Sequence, residues 1–177
     1  MNYATIKPRD VANGPGVRVS LFVSGCTHRC PGCFNAEAWD FQYGESFTDA
    51  VADRILGLLT PSYVKGFSLL GGEPFEPCNQ EVLAPLLERI RGTYPEKDIW
   101  CYSGYDFEKD LLTCRLGDPS VTRRMLACLD VLVDGRFVQE LKDLNLRFRG
   151  SSNQRILDVP TSLREGRAVR IPEYMEG

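Results

Sequence analysis

Hydrophobic residues in this chain follow two alternating patterns: short unbroken runs rich in β-branched residues, and longer stretches in which they recur every three or four positions. "VRVSLFV" at 17–23 is of the first kind, as a buried strand should be, and the "NGPG" before it is a turn signal. From Thr48, an N-cap residue by type, "TDAVADRILGLLT" sets Val51, Ile55, Leu58 and Leu59 on one helical face. "GFSLLGGEP" at 66–74 is a short apolar strand running into a Gly-Gly pair, after which Val82, Leu83, Leu86, Leu87 and Ile90 restore the helical period. Pro85 interrupts that period; it would remove a hydrogen bond and crowd the preceding turn, so the pattern predicts a kink there or a helix start close to it. "DIWCYSGY" at 98–105 is the next strand. Asp118-Pro119 reads as N-cap and first residue of a helix through Leu129, and "DVLVDG" at 130–135 closes the series. Beyond Arg136 the pattern weakens. "LRFRGSSNQRIL" has room for a last strand, and the chain from Asp158 onward reads as loop or as a small hairpin around Glu165-Gly166.

Strands separated by helices imply parallel βαβ units, because a parallel neighbour is reached only through a crossover. The expected fold class is therefore α/β, a partial, open (β/α) barrel, since 177 residues are few for a closed eight-fold one. No repeat or linker marks a boundary, so the expectation is one domain over 1–157 followed by a tail, 158–177, with no legible role. In such folds the ligand site lies at the carboxyl ends of the strands. The polar and glycine-rich signals fall there: Cys26 to Cys33, Gly71 to Pro74, Ser103-Gly104 and Asp134-Gly135.

Composition narrows the function. Hydrophobic residues make up 43% and charged residues 25%, with no apolar run of membrane-spanning length, so no membrane partner is expected. The net charge of -3 argues against a nucleic-acid binder, which needs surplus cations to neutralise phosphates. The first residues lack the apolar stretch of a secretory signal, and the seven cysteines then point to a reducing, cytoplasmic setting in which spaced thiols bind metal more often than they pair.

The chemistry is concentrated in "SGCTHRCPGCFN", where Cys26, Cys30 and Cys33 have the spacing C-x3-C-x2-C. Three thiolates from one tight loop suit three irons of a [4Fe-4S] cubane, leaving the fourth iron open to an external chelator. A closed zinc site is the alternative, with His28 or a distant thiolate such as Cys78 as fourth ligand, and it would make the chain a non-catalytic interaction module. His28, alone between the cysteines, reads as solvent-exposed or bonded to cluster sulfur rather than as a ligand. Cys78, Cys101, Cys114 and Cys128 lack metal spacing and read as small hydrophobes. Gly71-Gly72 suits either a tight turn or close approach of a ligand to the backbone, and Asp134 either a plain Asp-Gly turn or a polar contact at a strand end. Arg147, Arg149 and Arg155 form a local basic group, read as a solvated face or a dock for an acidic partner.

The cysteine motif on the loop after a first strand, with a later strand ending in "GGEP", resembles the radical S-adenosylmethionine superfamily. More narrowly, "NGPGVRVSLFVSGCTHRCPGCFN", "GGEP", "EKDIWCYSGY", "VLVDGRFVQELKD" and "RGSSNQR", in that order over about residues 2–156, resemble the activators of anaerobic ribonucleoside-triphosphate reductases. The resemblance implies a barrel of the radical S-adenosylmethionine type, a [4Fe-4S] cluster on Cys26, Cys30 and Cys33, and S-adenosylmethionine as second cofactor. It implies that Gly32, Cys33 and Phe34, Gly71, Gly72 and Glu73, and at the further strand ends Ser103 and Asp134, contact that cofactor or its surroundings, with no side chain acting as acid or base. The implied activity is an oxidoreductase that raises a glycyl radical on the partner reductase, served by an electron donor such as flavodoxin. A homodimer is admitted. Activation of another glycyl-radical enzyme, or radical chemistry on a small molecule, is the alternative within the superfamily. Phe34 departs from the tyrosine usual in these activators, and the tail beyond Ile156 matches nothing in them.

Overall fold

A computed structural model of the chain describes residues 1–175. Among these residues seven strands form one open, mixed sheet: β1 (Asn2–Asp10), β2 (Val17–Val23), β3 (Glu45–Ser46), β4 (Val64–Gly71), β5 (Asp98–Tyr102), β6 (Val131–Asp134) and β7 (Arg155–Asp158), in the order β3-β1-β2-β4-β5-β6-β7. The inner strands β2, β4, β5 and β6 are parallel, while β1 and β7 close the parallel set with antiparallel pairings. These four parallel strands are the four apolar runs of the sequence, as expected of strands covered on both faces.

Helices α1 (Asp49–Leu58), α2 (Pro77–Thr93) and α3 (Pro119–Cys128) make the crossovers. The Thr48 hydroxyl accepts from the Val51 amide, and the Asp118 carboxylate from the Ser120 amide at 2.8 Å, so both N-caps are in place. α2 differs from the expected start. It begins at Pro77, where a missing amide costs nothing, and continues past Pro85 to Thr93. Pro85 is exposed, so its ring and the carbonyl it frees one turn back lie on the solvent side, where water can satisfy that carbonyl.

Strand alternation divides the core in two. Leu21, Phe67, Leu69, Ile99, Cys101, Leu132 and Leu157 pack under the helices with Ile55, Leu83, Leu87 and Met125. The opposite face carries Trp100, Val131, Val133 and Ile156, and beside them the fully buried Arg18. Arg18 donates to Ser68 Oγ at 2.7 Å and to the Phe67 carbonyl at 2.9 Å, pairs with Asp98, and lies over the Trp100 ring.

The residues after 157 are more ordered than their sequence suggests. Asp158 caps a two-turn helix, α4 (Val159–Glu165), by accepting from the Thr161 amide at 2.7 Å, and Gly166 ends it in the left-handed conformation at φ 66°. The expected loop or hairpin is thus a capped helix; its seven residues are too few to show a period. The chain then pairs with the free edge of β7 through Arg170 and ends in a single turn, α5 (Pro172–Met175). The last two positions of the 158–177 tail lie outside the described residues.

Candidate active site

β2 delivers the cysteine loop to the carboxyl end of the sheet, and the end of β4 is laced to it. The Gly72 amide donates to the Val23 carbonyl at 2.7 Å and the Glu73 amide to the Gly25 carbonyl at 2.8 Å. Asn79, on the first turn of α2, donates to the Ser24 and Glu73 carbonyls, and the Glu76 carboxylate accepts from both the amide and hydroxyl of Thr27. Cys26, Cys30 and Cys33 all carry free thiols and line one cavity of about 360 Å³. Burial pushes the Cys26 thiol up to about 11, and raises that of Cys30 with help from neighbouring Cys33. Burial alone thus favours the thiol form of these groups, and a bound cation would supply the attraction that ionises them.

Glu73 is the hub behind this loop. Its fully buried carboxylate accepts from the Phe75 amide and Ser103 hydroxyl, both at 2.9 Å, and from the Gly104 amide at 2.7 Å. His28 completes the set at 2.9 Å through Nε2, its ring edge-on to Tyr105. His28 does not take the solvent-exposed position open to it from the sequence. The His28 side chain is 4% exposed and bonded to Glu73, whose own side chain is buried.

The two glycines ahead of Glu73 are demanded by packing. Gly71 has φ 113°, and a Cβ there would meet the Val23 amide at 2.5 Å. A Cβ on Gly72 would lie 2.5 Å from the Gly25 carbonyl and 2.9 Å from that of Ala38. Both line the cavity, so close approach of backbone to backbone also leaves backbone facing the space beside the cysteines.

The remaining residues singled out in the sequence divide. Phe34 lines the cavity and is 88% exposed, so its ring stands at the mouth. Ser103 also lines it, but its hydroxyl is engaged, donating to Glu73 and accepting from the Tyr105 amide. Gly32 and Asp134 are not among the lining residues. Gly32 abuts the Gln139 side chain, and the buried Asp134 accepts from the Phe107 amide at 2.8 Å and pairs with Arg155. Burial raises the Asp134 carboxyl, with Arg155 opposing. The basic group divides: Arg155 also meets Glu108 and Arg149 donates to the Gln154 carbonyl at 2.9 Å, while Arg147 is exposed and lies over the Phe148 and Tyr174 rings. Cys101, Cys114 and Cys128 are buried, and Cys78 is exposed.

Further wall residues went unread in the sequence. Tyr102 and Phe148 line the cavity beside Arg149 of the basic group, and the Tyr102 hydroxyl is buried there without a hydrogen-bond partner among the described residues. Strand alternation was the available signal for Tyr102, since it faces away from Cys101 and its helical cover.

Comparison with known proteins gives the family of the chain. A family model described as a 4Fe-4S single cluster domain matches residues 12–157. The anaerobic ribonucleoside-triphosphate reductase-activating protein of Escherichia coli (strain K12) is 44% identical over 156 residues, 87% of this chain and 96% of the relative. The chain belongs to the family of anaerobic ribonucleoside-triphosphate reductase-activating proteins. The Haemophilus influenzae member is 42% identical over the same share of each chain, and the Enterobacteria phage T4 member 40% identical over 158 residues, 88% of this chain and 93% of its own. The family match takes in the cysteine loop, the Glu73 hub and the strands that carry them. Among the described residues of this activator-family chain, no helix is long and apolar enough to cross a membrane.

Proposed function

We propose that this chain activates an anaerobic ribonucleoside-triphosphate reductase as a radical S-adenosylmethionine oxidoreductase, its open sheet serving as the partial barrel of that superfamily. The observation that carries the reading is the convergence of three free thiols and the Gly71-Gly72 strand end on one cavity of about 360 Å³, a size suited to a small cofactor. Cys26, Cys30 and Cys33 would hold a [4Fe-4S] cluster, and their number leaves one iron for S-adenosylmethionine. When bound, the pair supplies a one-electron reductive cleavage of the sulfonium that gives methionine and a 5′-deoxyadenosyl radical, which takes a hydrogen atom from a glycine of the reductase.

The protein's part is positional. Glu73, with its four bonding partners, ties His28 of the cysteine loop to the ends of β4 and β5. Gly71 and Gly72 offer main chain to the cofactor's methionine end, with Gly32, Cys33 and Phe34 bordering it from the cysteine loop. Ser103 acts through Glu73, and Asp134 through Arg155, which joins β6 to β7. The mouth marked by the exposed Phe34 suits a macromolecular substrate that must insert a loop. A one-electron donor such as flavodoxin and a cytoplasmic location accompany this reading.

The test is anaerobic reconstitution with iron and sulfide, followed by S-adenosylmethionine, reductant and the reductase. A glycyl radical in the electron paramagnetic resonance spectrum is expected. Its absence with cluster and reductant both present rejects the activase reading.

A further inference from the structure

Residues 171–175 lie beyond the 12–157 stretch matched by the family model, yet they touch the cavity wall. "IPEYM" places Ile171, Tyr174 and Met175 at i, i+3, i+4, and all three pack on the sheet face that carries Trp100, Val133 and Ile156. Tyr174 meets Trp100 edge-on at 5.4 Å and Phe148 at 5.6 Å, and Phe148 in turn meets Trp100 at 5.4 Å, closing an aromatic triangle. The Arg147 guanidinium sits over both the Phe148 and Tyr174 rings at 5.4 Å.

Main-chain bonds reinforce the triangle. The Ile171 amide donates to the Ile156 carbonyl at 2.9 Å, and Arg149 Nη2 donates to the Met175 carbonyl at 3.0 Å. Phe148, Arg149 and Gly150, with Leu146 shortly before them in the same loop, line the cofactor cavity. Phe148 has φ 54°, a conformation costly for a residue with a Cβ, so this loop needs support from outside itself. Tyr174 and Met175, which do not themselves line the cavity, give that support through Phe148 and Arg149.

We propose that residues 171–175 form a strap that positions the Phe148–Gly150 wall of the cavity and thereby sets the affinity for S-adenosylmethionine, a proposal that rests on the cofactor assignment above. The strap touches neither the cysteines nor the Glu73 hub, so it acts on cofactor binding and not on cluster assembly.

The test compares the full chain with a deletion of residues 171–177, with Tyr174→Ala, which leaves the main chain whole, and with Tyr174→Phe, which keeps the ring. Hydrogen exchange at the Gly150 and Ser151 amides, both donors to Gln154 Oε1, is read first on chains without cluster. Equilibrium dialysis of S-adenosylmethionine against reconstituted chains is read second. The deletion and Tyr174→Ala should speed exchange and weaken binding by about tenfold, with iron content unchanged and Tyr174→Phe close to the full chain. Unchanged exchange overturns the strap, as does faster exchange with unchanged affinity. Failure of the full chain itself to bind the cofactor would instead strike the functional reading, with the exchange result still reporting on the strap.

Discussion

The Ser103 hydroxyl donates to Glu73 Oε1 at 2.9 Å, tying the end of β5 to the loop that follows β4. The same carboxylate takes the Phe75 and Gly104 amides and His28, so a single buried anion gathers donors from three places in the chain. Glu73→Gln would turn one acceptor oxygen into a donor facing the Gly104 amide and His28. Leaving buried donors unmatched costs roughly 2–4 kcal/mol, and urea denaturation of the cluster-free chain under reducing conditions should show a loss of that order. A loss under about 0.5 kcal/mol, the usual limit for an inconsequential surface change, would mean that Glu73 does not organise the site.

Gly72→Ala tests the lacing of β4 to the cysteine loop. The added methyl would press on the carbonyls of Gly25 and Ala38, both main chain and unable to swing aside. Overpacking of this kind costs about 1–3 kcal/mol, and here it pushes directly on the residue before Cys26. The expected outcome is lower stability together with iron incorporation well below that of the unaltered chain. Normal iron content in Gly72→Ala would show that the loop tolerates the displacement.

Acid sensitivity should trace in part to Glu108, which binds the C-terminal segment to the sheet. Burial acts to raise its carboxyl, but the Ala168 amide at 2.8 Å and Arg155 at 2.9 Å outweigh it and hold the group below its ordinary 4.5. A carboxyl lowered by folding stabilises the folded state fully above its unfolded value, and that contribution is lost as pH falls through the folded one. Chemical denaturation at about pH 6 and about pH 3 should therefore show a smaller acid-induced loss for Glu108→Gln than for the unaltered chain. Equal losses would remove Glu108 from the acid response.

What the sequence reveals follows from how local each signal is. β2, β4, β5 and β6 are legible because strands covered on both faces must be apolar along their length. β1 is not, because Lys7, Pro8 and Arg9 face outward and two irregularities in its pairing with β2 break the alternation. Pro8 is tolerated there because the short β3 pairs only with Asn2 and Tyr3, leaving that part of β1 an edge. The cysteines are legible as three identical side chains in one loop. Asp134 is ambiguous for the opposite reason: its partner Arg155 lies on β7, and an Asp-Gly turn looks the same with or without it. The role of Glu73 is hidden because its donors come from scattered segments, and the helical tail because the rings Tyr174 meets, Trp100 and Phe148, are distant in sequence.

The central claim is that Cys26, Cys30 and Cys33 alone anchor the metal centre and leave one iron for the cofactor. The most direct measurement is the electron paramagnetic resonance spectrum of the reduced, reconstituted chain before and after addition of S-adenosylmethionine, with iron and zinc measured on the same sample. The account predicts about four irons per chain, a spectrum that shifts on adding the cofactor, and loss of the shift when any one of the three cysteines becomes alanine. A stoichiometric zinc ion, or a reduced cluster whose spectrum does not change with S-adenosylmethionine, would contradict it.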